Sequence, residues 1–283
     1  MKTTSKKFSS IFLLQIFLIS VFLLVVISIS IKALILVNES TFRNSSYTVL
    51  VISKKAYVMR IDNKLSTLSI LALKDKSGIS KNSMLENSIF LHIPLDGQIT
   101  NEKDQINDLK TQLLSVQAVL SIFVPNPSVH LLQMNLYDYL KLYFWAKQVP
   151  KRNIHEKTIQ SISSYKDNNS ELNIIISNFF GDQDIINEKI SVEIVNGTGI
   201  NGLGSKVAQM LENTGFDVVS VSSTDENRSS AIFITKSSSN SKSLQKIQNL
   251  FLFEAKEVEQ GIADIKIVLG NDISSKLKNL EEN

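Results

Sequence analysis

Gly197-Thr198-Gly199-Ile200-Asn201-Gly202 has the spacing G-x-G-x-x-G between a β-branched run and an apolar-periodic stretch. In that setting such a loop can wrap the pyrophosphate of a dinucleotide. Two features oppose nucleotide binding. A dinucleotide fold needs repeated β-α units in a larger parallel sheet, and too little chain remains here. No acidic residue closes a second parallel strand about 20 residues on; Asp217 begins a strand instead. Asn196, Gly197, Thr198, Gly199 and Gly202 therefore read as a tight strand-to-helix turn, with glycines where positive φ or close approach is needed. The helix N-terminus behind it would attract an anion only weakly.

Other reactive residue types are sparse. Asp62 and Asp96 are a possible carboxylate pair for acid–base work; the plainer reading is a solvated strand end and a turn residue. His92, His130 and His155 lack metal-ligand spacing. Serines are abundant, but no G-x-S-x-G elbow occurs. The chain has no cysteine, so disulfides, thiolate metal sites and thiol nucleophiles are excluded. Tyr137, Tyr139, Tyr143, Phe144 and Trp145 cluster at helical spacing. Most belong in a core, but they cannot all face one way, so some could stack on sugar rings. The chain has four arginines: Arg43, Arg60, Arg152 and Arg228.

The elements that position these residues begin with an apolar run. Phe8 to Ile31 gives 24 consecutive uncharged positions, preceded by Lys2, Lys6 and Lys7. At about 1.5 Å per residue the run reaches roughly 36 Å, enough to cross a hydrocarbon core of about 30 Å. Its length, and its resumption after Lys32, fit a retained anchor better than a cleaved signal, whose apolar part spans about 7–15 residues. The lysines place the N-terminus on the cytoplasmic side and the remainder outside. The expected organisation is a stub at 1–7, a transmembrane helix at 8–37, a linker at 38–46, a middle domain at 47–182 and a C-terminal domain at 188–275. Net charge is +3, with three positive charges in the stub, so no basic surface suggests nucleic acid.

The middle domain reads as strands at 48–52, 56–61, 65–73, 88–93 and 128–134, with helices at 104–120 and 136–148. A further buried-type strand is expected at 172–176, and a polar boundary at 181–188. The last part reads β-α-β-β-α-β, with strands at 190–195, 217–222, 231–235 and 265–269 and helices at 203–213 and 243–251. The fold class is therefore α/β (α+β), with a mixed-sheet middle domain.

Ile190 to Leu203 with its Asn196-Gly197-Thr198-Gly199 turn, then Ala208 to Leu211, Gly215-Phe216-Asp217-Val218 and Leu269-Gly270-Asn271-Asp272, resembles the LytR C-terminal domain of bacterial envelope proteins. That family implies an envelope-facing accessory or binding module. The middle segment resembles a diverged LytR-CpsA-Psr domain through Tyr47–Ile52, Ile93-Pro94-Leu95-Asp96, Ile122 to Pro125 and Leu131 to Lys141. Active members of that family transfer glycopolymers from lipid pyrophosphates to peptidoglycan. The resemblance would make Arg60, Asp62, Asp96 and Arg152 the catalytic set, with Mg²⁺ as cofactor. Here Leu95 replaces the motif arginine, and two arginines make a poor pyrophosphate clamp because lysine lacks the bidentate fork.

The expectation is therefore a membrane-anchored binding or scaffolding protein of the cell envelope, without catalysis, cofactor or metal. Its partners would be the membrane and possible peptidoglycan, envelope glycopolymer or envelope-protein ligands. A glycopolymer–peptidoglycan phosphotransferase is the alternative.

Overall fold

The computed structural model describes residues 10–42, 45–101, 129–160, 162, 169–225, 229–274 and 277. The expected cytoplasmic stub, the helix at 104–120, the Ile122–Pro125 motif, and Arg43 and Arg228 lie outside these residues. The described chain falls into two units, Met1–Ser40 and Thr41–Asn283.

The first unit is a single helix, α1 (Ser10–Asn38), in which Lys32 is the only charge. Residues Phe12–Asn38 are long and apolar enough to cross a membrane. The hydroxyls of Ser20 and Ser30 donate back to the carbonyls of Phe17 (2.7 Å) and Val26 (2.9 Å). These bonds spare the hydroxyls an unpaired position in an apolar medium.

The second unit holds two sheets. The first comprises β1 (Ser46–Ile52), β2 (Ala56–Asp62), β3 (Thr67–Leu73), β4 (Gly97–Asn101), β5 (Val129–Leu132) and β6 (Ile154–Ile159), in the order β5-β4-β1-β2-β3-β6. β1, β2 and β3 form an antiparallel meander with Thr48 opposite Arg60 and Ser46 opposite Asp62. β4 and β6 add in parallel to β1 and β3. Strand alternation sends Tyr47, Val49 and Val51 to one face, against Tyr139, Leu142 and Ala146 of α3 (Leu136–Gln148). Leu50 and Ile52 go to the other face. There they meet Met84 and Leu91 of α2 (Met84–Leu91) and Leu172, Ile175, Ile176 and Phe180 of α4 (Asn169–Phe180).

Two expected strands are helices. Residues 88–91 of the run at 88–93 lie in α2, which Ser83 caps by accepting the backbone N–H of Glu86 at 3.3 Å, and His92 ends it. The Ser83-x-x-Glu86 spacing is a helix-start signal. The run at 172–176 is α4: Leu172, Ile175, Ile176 and Phe180 are buried while Ile174 is exposed, a helical rather than alternating pattern. The helix at 136–148 forms as expected, closed by a capping box between Asn135 and Asp138.

The polar segment at 181–188 is ordered as α5 (Gln183–Glu188). Beyond it lie β7 (Ser191–Asn196), α6 (Leu203–Glu212), β8 (Asp217–Ser223), β9 (Ala231–Ile234), α7 (Lys242–Phe251), β10 (Ala255–Glu257), β11 (Ile265–Leu269) and α8 (Asn271–Ser274). The expected β-α-β-β-α-β order holds, with β10 and α8 added. The strands lie in the order β10-β9-β11-β7-β8. Leu203, Val207, Met210 and Leu211 of α6, with Leu244, Ile247, Leu250 and Phe251 of α7, cover one face. Leu85 and Ile89 of α2 join the same core, so α2 serves both sheets.

Candidate functional site

The sequence-derived candidates separate into two places. The first is the end of the first sheet where Ser46 and Thr48 of β1 pair with Asp62 and Arg60 of β2. Arg60, Asp62 and Asp96 come together there, at 4%, 6% and 5% exposure. Each is already engaged. Arg60 Nη1 donates to the Phe180 carbonyl at 2.6 Å. Its Nη2 forms ion pairs with Asp182 (3.2 Å) and Asp62 (3.7 Å), without aligned hydrogen bonds. Asp62 also accepts the backbone N–H of Leu65 at 3.0 Å. Asp96 Oδ2 accepts the Thr48 N–H at 2.8 Å and Lys246 Nζ at 2.5 Å, and Lys246 belongs to α7 of the second sheet. Tyr47 donates its hydroxyl to the Asp96 carbonyl at 3.1 Å. Burial, then Asp96 and Asp138, push the Tyr47 phenol well above its ordinary value, so it remains a donor.

Lys246 and Asp182, which no sequence motif singles out, complete this cluster. Burial opposes ionisation of Asp182, but Arg60, the Ser46 hydroxyl, Lys246 and the Asp184 backbone N–H outweigh it and lower its pKa. Asp184 is depressed further, chiefly by Lys242, then by Ser45, with Lys64 adding to it. Glu188 accepts the backbone N–H groups of Lys242 (2.8 Å) and Ser243 (2.9 Å), and so places a carboxylate at the start of α7. The short α5 segment thus ties β1 and β2 to α7. Arg152 is elsewhere, exposed in the 3-10 turn Lys151–Asn153 before β6. Asp62 and Asp96 sit in different ion pairs, which is a poor donor set for Mg²⁺. Among the described residues no group of three or more His, Asp or Glu could hold a metal ion.

The second place is the glycine turn. Asn196 Oδ1 accepts the Thr198 N–H (3.2 Å) and hydroxyl (2.7 Å), and Asn196 Nδ2 donates to the Ile200 carbonyl at 2.9 Å. Thr198 Oγ1 accepts the Ile200 N–H at 3.1 Å, and Gly197 donates its N–H to the Leu269 carbonyl at 2.8 Å. Gly199 and Gly202 both have φ of +74°, which explains their identity. Asn196 and Thr198 thus spend their polar atoms on the turn itself. Asn196→Ala is expected to cost about 1–3 kcal/mol in urea denaturation, because it strips partners from buried groups. An unchanged midpoint would rule out this structural role.

His92 ends α2 in the left-handed region (φ 55°), and its carbonyl accepts Asn213 Nδ2 at 3.1 Å. Burial, then Lys206, lower its pKa from 6.5, against the opposing effect of Asn173. Its stabilising contribution is therefore complete above 6.5 and declines as pH falls from there toward the lower folded value. Asp182 and Asp184 act in the same direction in a more acid window: their contribution is present above 3.8 and is lost as pH falls through their folded values. Thermal melts of the chain should thus show two separate losses on acidification. His92→Asn, which tolerates this backbone region, should abolish the first and keep the second.

Residues 189–272 match the family model described as LytR cell envelope-related transcriptional attenuator. No curated protein matches the chain. Among solved structures the chain is similar to the putative transcriptional factor Lmo1026 from Listeria monocytogenes, at 9% identity, covering 41% of this chain and 82% of that one, with a TM-score of 0.28. For the transcriptional regulator yvhJ from Bacillus subtilis the identity is 15%, the coverage 41% and 81%, and the TM-score 0.27. For B. subtilis TagT they are 12%, 84% and 89%, and 0.19.

Proposed function

With its residues 189–272 in the LytR cell envelope-related family, we propose that this protein is a membrane-anchored binding or scaffolding protein of the bacterial cell envelope. α1 is its anchor, with the N-terminus in the cytoplasm and the two sheets outside. Its ligand is peptidoglycan, an envelope glycopolymer or another envelope protein. The observation that carries the non-catalytic reading is the engagement of Arg60 and Asp96. Pyrophosphate chemistry needs cations and carboxylates turned toward a substrate. Here Arg60 faces Asp182, Asp62 and a backbone carbonyl, and Asp96 faces Lys246, all of them buried. Opening this cluster to a phosphate would strand several buried charges.

The test uses the full chain in detergent with a polyprenyl-pyrophosphate-linked glycan, peptidoglycan fragments and Mg²⁺. Cosedimentation with peptidoglycan or glycopolymer, without release of polyprenyl phosphate, is the expected result. Release of the lipid phosphate that stops on Arg60→Lys or Asp96→Asn would favour the phosphotransferase alternative.

A further inference from the structure

We propose that the outward side of α3 is a lipid-docking surface that rests on anionic headgroups of the bilayer. Three observations carry it. First, α3 turns apolar groups outward. Tyr139, Leu142, Tyr143 and Ala146 fill the core, while Phe144 is 56% exposed. Tyr137 and Leu140, seven and four residues before it, are half-exposed. These three lie on one side at helical spacing, against nothing among the described residues that would bury Phe144.

Second, the exposed charges on α3 and directly after it, among the described residues, have one sign. Lys141 and Lys147 lie on α3, and Lys151 and Arg152 follow directly, the last three exposed. The one acid of the helix, Asp138, is fully buried in its capping box. Lys141 and Lys147 lie over the rings of Trp145 (5.0 Å) and Tyr143 (4.6 Å), so their stems run along aromatic surface. A short amphipathic helix with aromatic groups and lysines on its free side fits the interfacial zone of a membrane. A neutral polymer would offer no counter-charge to the exposed Lys147, Lys151 and Arg152.

Third, the chain brings a membrane close. The backbone N–H groups of Thr41 and Phe42 lie 3.4 Å from the Asp138 carboxylate, and Lys141 donates to the Phe42 carbonyl at 2.7 Å. Phe42 also packs edge-on against Trp145 at 4.5 Å. The candidate span ends at Asn38. Thr41 lies three positions further along, a reach of about 11 Å when fully extended. The headgroup layer on each side of the hydrocarbon core is roughly 5–8 Å deep. Covalent reach alone therefore keeps Thr41, which contacts the Asp138 carboxylate of α3, within about one helix diameter of the end of the span. This inference rests on α1 being a membrane span.

The test exploits the absence of cysteine. Full-length chains carrying Phe144→Cys, Lys147→Cys or Ile262→Cys are labelled with a polarity-sensitive fluorophore. They are reconstituted in vesicles of equal parts phosphatidylglycerol and phosphatidylcholine. Ile262, 81% exposed beside the second sheet, is the aqueous reference. The expected result is blue-shifted emission at 144 and 147, with several-fold stronger quenching by spin-labelled lipid than at 262. The shift should shrink in phosphatidylcholine alone and in high salt. Equal aqueous emission at all three positions in chains that float with the vesicles overturns the docking surface and leaves the anchor intact. Chains that fail to float, or that are stripped by alkaline carbonate, overturn the anchor reading itself. Shielding seen only with two chains per nanodisc assigns the face to a second copy and also overturns the proposal.

Discussion

Lys246→Met is expected to lower the stability of the folded chain by about 3–5 kcal/mol, the range for breaking a buried ion pair at one partner. The ammonium and the Asp96 carboxylate are almost wholly enclosed, with side chains 3% and 5% exposed. Removing the cation strands the carboxylate with the Thr48 N–H as its one remaining partner among the hydrogen bonds described above. Adding Asp96→Asn to Lys246→Met should restore most of the loss. The amide is neutral and still offers an oxygen to Thr48, and replacing both ends of a buried pair by neutral groups is often close to cost-free. Urea midpoints of the wild type, the two single variants and the double variant form a complete cycle. Additive losses would show that the two residues do not interact as the geometry requires.

The second large effect is at Arg60. Arg60→Leu leaves Asp182 and Asp62 facing each other without their cation and deprives the Phe180 carbonyl of its donor. A loss of about 3–5 kcal/mol is again expected. Arg60→Lys should recover only part of it, because an ammonium cannot fork toward a carbonyl and two carboxylates at once. The same variants distinguish a lock from a ligand site. If Arg60 serves to hold a phosphate, Arg60→Lys will leave the melting temperature unchanged and weaken phosphate binding. If it clamps β2 to the segment before α5, the melting temperature falls and no phosphate effect appears.

The sequence disclosed the second sheet better than the first. The β-branched runs of β7, β9 and β11 and the apolar stripe of α6 are local signals, and local physics decides them. α2 and α4 are helices where the sequence pattern suggests strands, because short apolar runs carry both periods, and the deciding features are single residues: the Ser83 cap, and the exposure of Ile174 between buried neighbours. β4, β6 and β10 are short and polar enough to lack an alternating pattern of their own. They are strands because neighbouring edges supply hydrogen-bond partners. The buried charge cluster was the least legible part. Asp96 and Lys246 are 150 positions apart, and nothing near either residue names the other. One hint was available: Lys246 flanks the buried stripe of α7, next to Ile247 and four residues before Leu250, where a lysine needs an anionic partner.

α2 carries a consequence for biosynthesis. Met84 and Leu91 are covered by strands and helices made before residue 181, but Leu85 and Ile89 are covered by residues from 185 onward. Because a nascent chain emerges from its N-terminal end, the first sheet will be complete while half of α2 still exposes greasy side chains. A chain halted near residue 188 should therefore be sticky, and a natural client for holdase chaperones, although its own sheet is whole. The last third of the polypeptide is, for the part made first, the lid that ends its quality-control interval.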